Sequence, residues 1–241
     1  MDNIVNIFLL TVGASFIQRT TGFGFGIFIM TLLPFLMPSY GEATTLSGLL
    51  ALTTSSIICI RMRRYITWKR LLPILMTFIV ISAGAICTLT RMEDGVLRKI
   101  LGITLIFTSL YFAFFCGKIK LKTTVPYQIG TGALSGIMGG FFGMQGPPAV
   151  LYLISSEPDK NHYMAMAQTY FLIGNSFMTI VRASNGFLTA TVGNCYIFCV
   201  AAVAIGTLLG SWAFRHIPAK IFPYIVYTYI GVSGIVIFLT S

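Results

Sequence analysis

Long apolar stretches without charged residues alternate with short polar connectors along this chain. The uncharged runs cover 71–90, 100–117, 123–156, 183–214 and 221–241. Several of them reach the roughly 20 residues that an α-helix needs to cross a ~30 Å hydrocarbon core. Apolar and polar positions do not alternate along these runs in the way that a membrane β-barrel strand requires. The pattern therefore predicts membrane-spanning helices.

Connectors divide the sequence into about eight hydrophobic segments. The predicted segments are 4–37, 43–60, 71–90, 99–117, 123–156, 163–182, 188–212 and 220–240. Because even the longest connector has only about ten residues, the chain leaves no room for a soluble domain. We therefore predict a single all-α, polytopic membrane domain over residues 1–241.

The two halves of the chain match each other at an offset of 121 residues, which is the separation of Arg61 and Arg182. The same offset aligns Gly22 with Gly143. A fixed internal offset is typical of a fold that is built from repeats. The predicted repeats contain four segments each and cover about 4–117 and 123–240.

Glycine-rich motifs interrupt the first segment of each repeat. The motifs read Gly-Phe-Gly-Phe-Gly at 22–26 and Gly-Gly-Phe-Phe-Gly-Met-Gln-Gly-Pro-Pro at 139–148. Lipid offers no hydrogen bonds to backbone that leaves a helix, so two matched breaks indicate a polar interior of the kind found at transporter substrate sites. As a straight helix, the uncharged run 123–156 would measure about 50 Å, so it has to tilt, break or turn back.

Composition narrows the class of protein. Hydrophobic residues make up 56% of the chain and charged residues 9%, with a mean hydropathy of +0.87, which is typical of an integral membrane protein. The net charge of +10 comes mainly from basic residues in short connectors, which indicates membrane topology and argues against nucleic-acid binding. We expect a multi-pass protein of the cytoplasmic membrane, surrounded by the lipid bilayer.

The distribution of Lys and Arg among the connectors distinguishes two possible topologies. If each broken segment re-enters the membrane as a hairpin, the connectors on the two sides carry eleven and four Lys or Arg residues. If every segment crosses once, the division is nine to six. Positive residues are retained on the cytoplasmic side, so the hairpin arrangement is favoured, while a kinked and tilted crossing stays open.

Arg19 is the only charged residue well inside a predicted membrane segment. A charge at that depth costs about 3 kcal/mol unless it is partnered, and such residues are usually functional. All the candidate acidic partners fall in connectors. We therefore expect Arg19 to attract an anionic substrate; the alternative is that it snorkels or binds backbone carbonyls.

Helix ends beside the breaks supply further candidates for anion binding. Where a helix restarts, its unpaired N–H groups and positive dipole end favour an oxyanion, and neutral side-chain donors flank both breaks. The predicted substrate-binding residues are Gln18, Arg19, Thr21, Gly22, Gly24, Gly26, Gly143, Gln145 and Gly146. The alternative is that the glycines serve helix packing, which is our expectation for the pair Gly206 and Gly210.

Three polar residues of the predicted sixth segment have less specific interpretations. Arg182 lies at its end and, like the aligned Arg61, is interpreted as an anchor that complements the helix dipole at the membrane interface, with a direct role in substrate binding as the alternative. Gln168 and Asn175 share one helix face, where they line a polar path or join an interhelical hydrogen-bond network.

Catalytic and cofactor motifs are missing from the sequence. Its two histidines, His162 and His216, lie near segment ends, and neither HExxH nor GxSxG occurs. The motif at 22–26 lacks the G-x-G-x-x-G spacing of a dinucleotide site. We expect no enzymatic activity, no metal and no cofactor.

The two glycine motifs resemble those of the sulfite exporter TauE/SafE family. The resemblance is carried by Gln-Arg-Thr-Thr-Gly-Phe-Gly-Phe-Gly at 18–26 and by the stretch 132–152, and it spans nearly the whole chain. It implies a membrane protein that moves sulfite, sulfoacetate or a related organosulfur anion. One departure is Gln145, where many members carry glycine.

Together, these features predict a transporter of a small anion, sulfite or an organosulfonate, which works by alternating access between its repeats. The alternative is a non-transporting membrane protein that docks a partner or assists assembly. The coupling ion, the direction of transport and a homo-oligomeric state are left open.

Overall fold

The computed structural model describes residues 2–115, 121–157 and 159–216, together with residue 232 and residues 235–239. Regular structure in these ranges is helical throughout. The helices are α1 (Asp2–Thr21), α2 (Phe25–Ile29), α3 (Leu33–Leu36), α4 (Tyr40–Met62), α5 (Trp68–Leu89), α6 (Asp94–Phe115), α7 (Val125–Phe142), α8 (Gly146–Ser156), α9 (Lys160–Ser184) and α10 (Ala190–His216), with a 3-10 turn at Arg63–Tyr65.

The predicted all-helical membrane architecture is confirmed for the part of the chain that the structure describes. Three stretches there are long and apolar enough to cross a membrane by themselves. They are Asn3–Thr21 in α1, Trp68–Leu89 in α5 and Ala190–Ala213 in α10. The last predicted segment, 220–240, lies mostly outside the described residues.

Three helix pairs form the body of the protein: α5 with α7, α1 with α10, and α4 with α9. Glycine allows the first two pairs to approach closely. A methyl group on Gly132 of α7 would lie 2.6 Å from the carbonyl oxygen of Ile74 in α5. A methyl group on Gly206 of α10 would collide with the carbonyl oxygen of Val12 in α1. These glycines therefore act as packing positions.

The α4–α9 pair runs antiparallel through the middle of the molecule. Near the start of α4, Gly48 faces Thr179, close to the end of α9. Near the end of α4, the Sγ atom of Cys59 lies 3.4 Å from the Oγ1 atom of Thr169 in the first half of α9. Because α4 also contacts α1, α2 and α10, and α9 also contacts α5 and α8, this pair joins the other elements.

Both broken segments fold back on themselves. In the first, Nδ2 of Asn3 donates a hydrogen bond of 3.3 Å to the carbonyl oxygen of Leu36. In the second, the backbone N–H of Leu121 donates to Oγ of Ser155 at 3.1 Å. The two ends of each segment therefore lie side by side.

Candidate functional site

The helical backbone stops and restarts in both glycine motifs. In the first, α1 ends at Thr21 and α2 begins at Phe25, with Gly22 at φ +86° and Gly24 at φ +98°. In the second, α7 ends one residue before Gly143, which has φ +67°. Glycine adopts these left-handed conformations without the steric cost that a Cβ atom brings, so the turns depend on it.

Side chains stabilise the first turn from two directions. The Oγ1 atom of Thr21 donates to the carbonyl oxygens of Ile17 and Phe23, at 2.9 and 2.6 Å. From α9, Nε2 of Gln168 donates to the carbonyl oxygen of Gly22 at 2.8 Å. Thr21 and Gly22 thus shape the break.

The two breaks meet each other inside the protein. A methyl group on Gly26 would collide with the carbonyl oxygen of Gly143, so the backbone of α2 lies directly against the end of α7. Beside this contact is a cavity of about 20 Å³, room for about one water molecule. The cavity is lined by Gln18, Gly24, Phe25, Gly26, Ile27, Ala51, Gly143, Met144, Gln145, Gly146, Phe171 and Asn175.

Most of the substrate-binding candidates from the sequence come together at this cavity. Those that line it are Gln18, Gly24, Gly26, Gly143, Gln145 and Gly146. Those that do not are Arg19, Thr21 and Gly22. None of the described residues that line the cavity carries a charge, so its polarity comes from amide side chains and backbone.

Three buried amide side chains give the cavity its hydrogen-bonding groups: Gln18, Gln145 and Asn175. Nε2 of Gln18 donates to Oγ of Ser55 at 3.2 Å and approaches Oε1 of Gln168 at 3.4 Å. Oε1 of Gln145 has no hydrogen-bond partner among the described residues. Of the two α9 residues with open interpretations, Gln168 thus joins an interhelical network, whereas Asn175 lines the cavity.

Arg19 faces a different neighbour. Its Nε atom donates to Oγ of Ser211 in α10 at 2.7 Å. A methyl group on Gly210 would lie 2.9 Å from Cβ of Arg19. The guanidinium stem is therefore packed on α10, beside the cavity lining and not within it.

Arg182 is a functional candidate that the sequence interpretation placed second to a role as an interface anchor. Its side chain is 0% exposed, so the interpretation as an interface anchor is wrong, and Arg19 is not alone as an internal charge. Nη2 donates to the carbonyl oxygens of Gly139 and Gly140 at 2.9 and 3.1 Å, and Nη1 donates to that of Thr44 at 3.1 Å. Arg182 thereby ties α4 and α9 to the end of α7.

The 121-residue offset pairs Arg182 with Arg61 but gives no indication that Arg182 is buried. The predicted segment ended at residue 182, but α9 continues to Ser184 and keeps Arg182 within the packed helix. The side chain of Arg61 lies outside the part that the structure describes.

Comparison with known proteins identifies a matching family and a similar protein. The model of the family described as sulfite exporter TauE/SafE matches residues 7–237. A protein of Cupriavidus necator named probable sulfite/organosulfonate exporter TauE is 22% identical over 206 residues, which cover 84% of this chain and 80% of the relative. No solved structure matches. Because the family match extends over nearly the full length, this membrane protein belongs to the sulfite exporter TauE/SafE family of transporters.

Proposed function

We propose that this protein moves a small anion, sulfite or an organosulfonate, across the cytoplasmic membrane by alternating access. The cavity at the two breaks is the substrate site in this proposal. The observation that carries it is that both glycine motifs and three buried amide side chains converge on one internal polar cavity. Two matched breaks at such a site are typical of secondary transporters.

The helix pairing supports an architecture of two inverted repeats. The 121-residue offset places α1 on α7, α4 on α9 and α5 on α10. Under this exchange the α1–α10 pair becomes the α7–α5 pair, and the α4–α9 pair becomes itself. Two repeats related by a two-fold axis produce this exchange of contacts.

The contacts at the segment ends support re-entrant hairpins. The Asn3–Leu36 and Leu121–Ser155 hydrogen bonds each join the start of a broken segment to its end. Since Arg182 is buried, the hairpin arrangement leaves eleven basic residues in the connectors of one side and three on the other. In the proposal, each hairpin enters and leaves the membrane from one face, and the two hairpin tips meet at the cavity.

Neutral donors suit an anion that must be both bound and released. The amide of Asn175 can donate to an oxyanion oxygen, and those of Gln18 and Gln145 can do so by exchanging their hydrogen bonds to Ser55, Gln168 and the carbonyl oxygen of Phe171. The positively polarised N-terminus of α8 is at Gly146. A full positive charge in the cavity would bind an anion more strongly and slow its release. Arg19 lies outside the lining, and in the proposal it contributes a longer-range attraction that draws the anion toward the site.

The small volume of the cavity fits a resting conformation in this mechanism. Its volume of about 20 Å³ accommodates a water molecule but not an oxyanion with four or more heavy atoms. Binding therefore requires α2 and α8 to move relative to the α4–α9 pair. The substrate would stabilise the conformation in which this space is larger.

The proposal is tested with purified protein in proteoliposomes. Sulfite, thiosulfate, sulfate, taurine and sulfoacetate are supplied separately, and flux is compared with that of empty liposomes. Asn175→Ala should weaken the apparent affinity for the transported anion about tenfold, because it removes one donor from the site. Ser176→Ala is the matched control, since that hydroxyl bonds the carbonyl oxygen of Leu172 within α9. Folded wild-type protein without flux of any of these anions would refute the proposal and favour a partner-docking role.

A further inference from the structure

Helices α4 and α9 face each other with matching stripes of polar residues. On α4 the residues of the stripe, together with Ala51, follow one another at intervals of three or four, which places them on one helix face. The residues of the stripe on the antiparallel helix α9 also lie on one face. The stripe on α4 consists of Tyr40, Thr44, Ser47 and Ser55, with Ala51 between the last two, and that on α9 of Gln168, Asn175, Thr179 and Arg182. Ala51 and Asn175 line the central cavity, so a polar interface continues from the cavity in both directions.

The two directions differ in how their polar atoms are satisfied. On one side, Nε2 of Gln18 donates to both Oγ of Ser55 and Oε1 of Gln168. On the other side, Oγ of Ser47 and Oγ1 of Thr179 are buried and have no hydrogen-bond partner among the described residues. Ser47 is only 1% exposed. A buried hydroxyl without a partner is costly, so this side is chemically incomplete.

Neighbouring hydroxyls on α4 and α9 have hydrogen-bond partners, in contrast to those of Ser47 and Thr179. Thr44, Thr54 and Ser176 lie on the same two helices, and each donates to a backbone carbonyl oxygen three or four residues earlier. Ser47 and Thr179 make no such bond in the described structure. Their hydroxyl groups are therefore available to a further polar group at the α4–α9 interface.

Arg182 adds a positive charge to this incomplete side. A methyl group placed on Gly48 would lie 3.3 Å from Oγ1 of Thr179 and 3.5 Å from Nη1 of Arg182, so both atoms border one small space. The Nε atom of Arg182 has no partner among the described residues. Its hydrogen bonds there go to carbonyl oxygens, which do not neutralise the charge.

We infer that Ser47, Thr179 and Arg182 form a second binding site for the transported oxyanion. This Arg182 site lies between the central cavity and the end of the molecule where α4 begins and α9 ends. The two hydroxyls donate to the oxygens of the anion while Arg182, held by its carbonyl partners, supplies the positive potential. The inference rests on the proposed function and adds a step along the path between the cavity and one face.

A purely structural role explains only part of this arrangement. Arg182 fastens the end of α7 through the carbonyl oxygens of Gly139 and Gly140, and that contact alone could account for its burial. It does not account for the hydroxyls of Ser47 and Thr179, which have no hydrogen-bond partner among the described residues. The decisive variants therefore leave Arg182 in place and remove the hydroxyls.

The test is the double variant Ser47→Ala with Thr179→Val in proteoliposomes. Since the hydroxyls have no hydrogen-bond partner among the described residues, the melting temperature should be unchanged or higher. Transport of the anion that wild-type protein moves should fall about tenfold or more at saturating concentration. Ser15→Ala is the control: Ser15 is 0% exposed with an equally unbonded hydroxyl, but it packs beside Gly206 in the α1–α10 pair. It should transport at the wild-type rate.

Each outcome decides between the two proposals. Equal flux by wild-type protein and the double variant overturns the Arg182 site and leaves the transporter proposal intact. A double variant that no longer folds also overturns it, because the hydroxyls would then be structural. Failure of wild-type protein to move any of the anions overturns the proposed function, and the Arg182 site with it.

Discussion

The side chain of Gln145 fills the space that Gly174 leaves open on α9. A methyl group on Gly174 would collide with Oε1 of Gln145 and would lie 2.9 Å from Cε1 of Phe78. At the 121-residue offset, the counterpart of Gln145 in the first repeat is Gly24, which has no side chain. The central cavity is therefore narrow on the side of the second repeat because Gln145 occupies it.

Shortening Gln145 should broaden the range of anions. Gln145→Ala removes the amide from the cavity, so organosulfonates with a longer tail should gain about tenfold relative to sulfite. The measurement is competition between sulfite and taurine or sulfoacetate for flux in proteoliposomes. An unchanged preference would show that Gln145 does not limit the size of the substrate.

Alanine at Gly24 and at Gly146 should have different effects. Gly24 has φ +98°, and a Cβ atom there would lie 3.3 Å from Cγ2 of Ile17, so Gly24→Ala should cost about 1–2 kcal/mol of stability and reduce flux. A Cβ atom on Gly146 would meet only ordinary contacts at 3.8 Å. The Gly146→Ala variant should therefore be as stable as wild-type protein. A loss of flux in this variant would indicate that the substrate approaches Gly146 closely.

Gly210→Ala is the matched packing control for these glycines. Its methyl group would lie 2.9 Å from Cβ of Arg19 and from the carbonyl oxygen of Phe16, away from the cavity. It should lower the melting temperature while anion affinity per folded molecule stays constant. If Gly24→Ala behaves in the same way, the first break serves packing and not transport.

Removal of the Arg19 charge should weaken anion capture. Arg19→Gln is expected to raise the apparent dissociation constant about tenfold, equivalent to ~1.4 kcal/mol, and the difference should shrink as salt screens the charge. Arg19→Lys should recover most of the loss. Ser211→Ala controls for the loss of the Arg19–Ser211 hydrogen bond. If the apparent affinity for the anion is equal in all variants and does not change with salt concentration, Arg19 does not attract the anion electrostatically.

The hairpin arrangement predicts the location of the carboxyl terminus. With three crossings in each half, both chain ends lie outside, because the basic connectors are on the cytoplasmic side. A carboxyl-terminal reporter that is active only in the cytoplasm should give no signal in cells. A signal from the reporter would contradict the hairpin arrangement and support eight single crossings.

Much of the helical plan was predictable because apolar runs of membrane length leave the chain few alternatives. The glycine motifs also led to residues that line the cavity, including Gln18 and Gln145. The faces of the helices were not predictable. Gln18 and Arg19 are neighbours in α1, yet one faces the cavity and the other α10, and in a helix that is apolar on all sides the sequence contains no signal for this rotation.

The burial of Arg182 depends on distant parts of the chain. Its carbonyl partners belong to Thr44, Gly139 and Gly140, which are 138, 43 and 42 residues away. Only the packing of α7 across the end of α9 brings them together. A local pattern around residue 182 therefore resembles an ordinary helix end, and the correct interpretation requires the tertiary structure.

The close glycine contacts of α1 with α10 and of α7 with α5 have a mechanical consequence. Each contact joins a helix of one half of the chain to a helix of the other, so the bodies that can move as rigid units do not coincide with the duplicated halves. In the proposed alternating-access mechanism, motion therefore takes place between composite blocks that each contain sequence from both predicted repeats. Either half expressed alone would expose its glycine-lined helix face, so we expect neither predicted repeat to fold without the other.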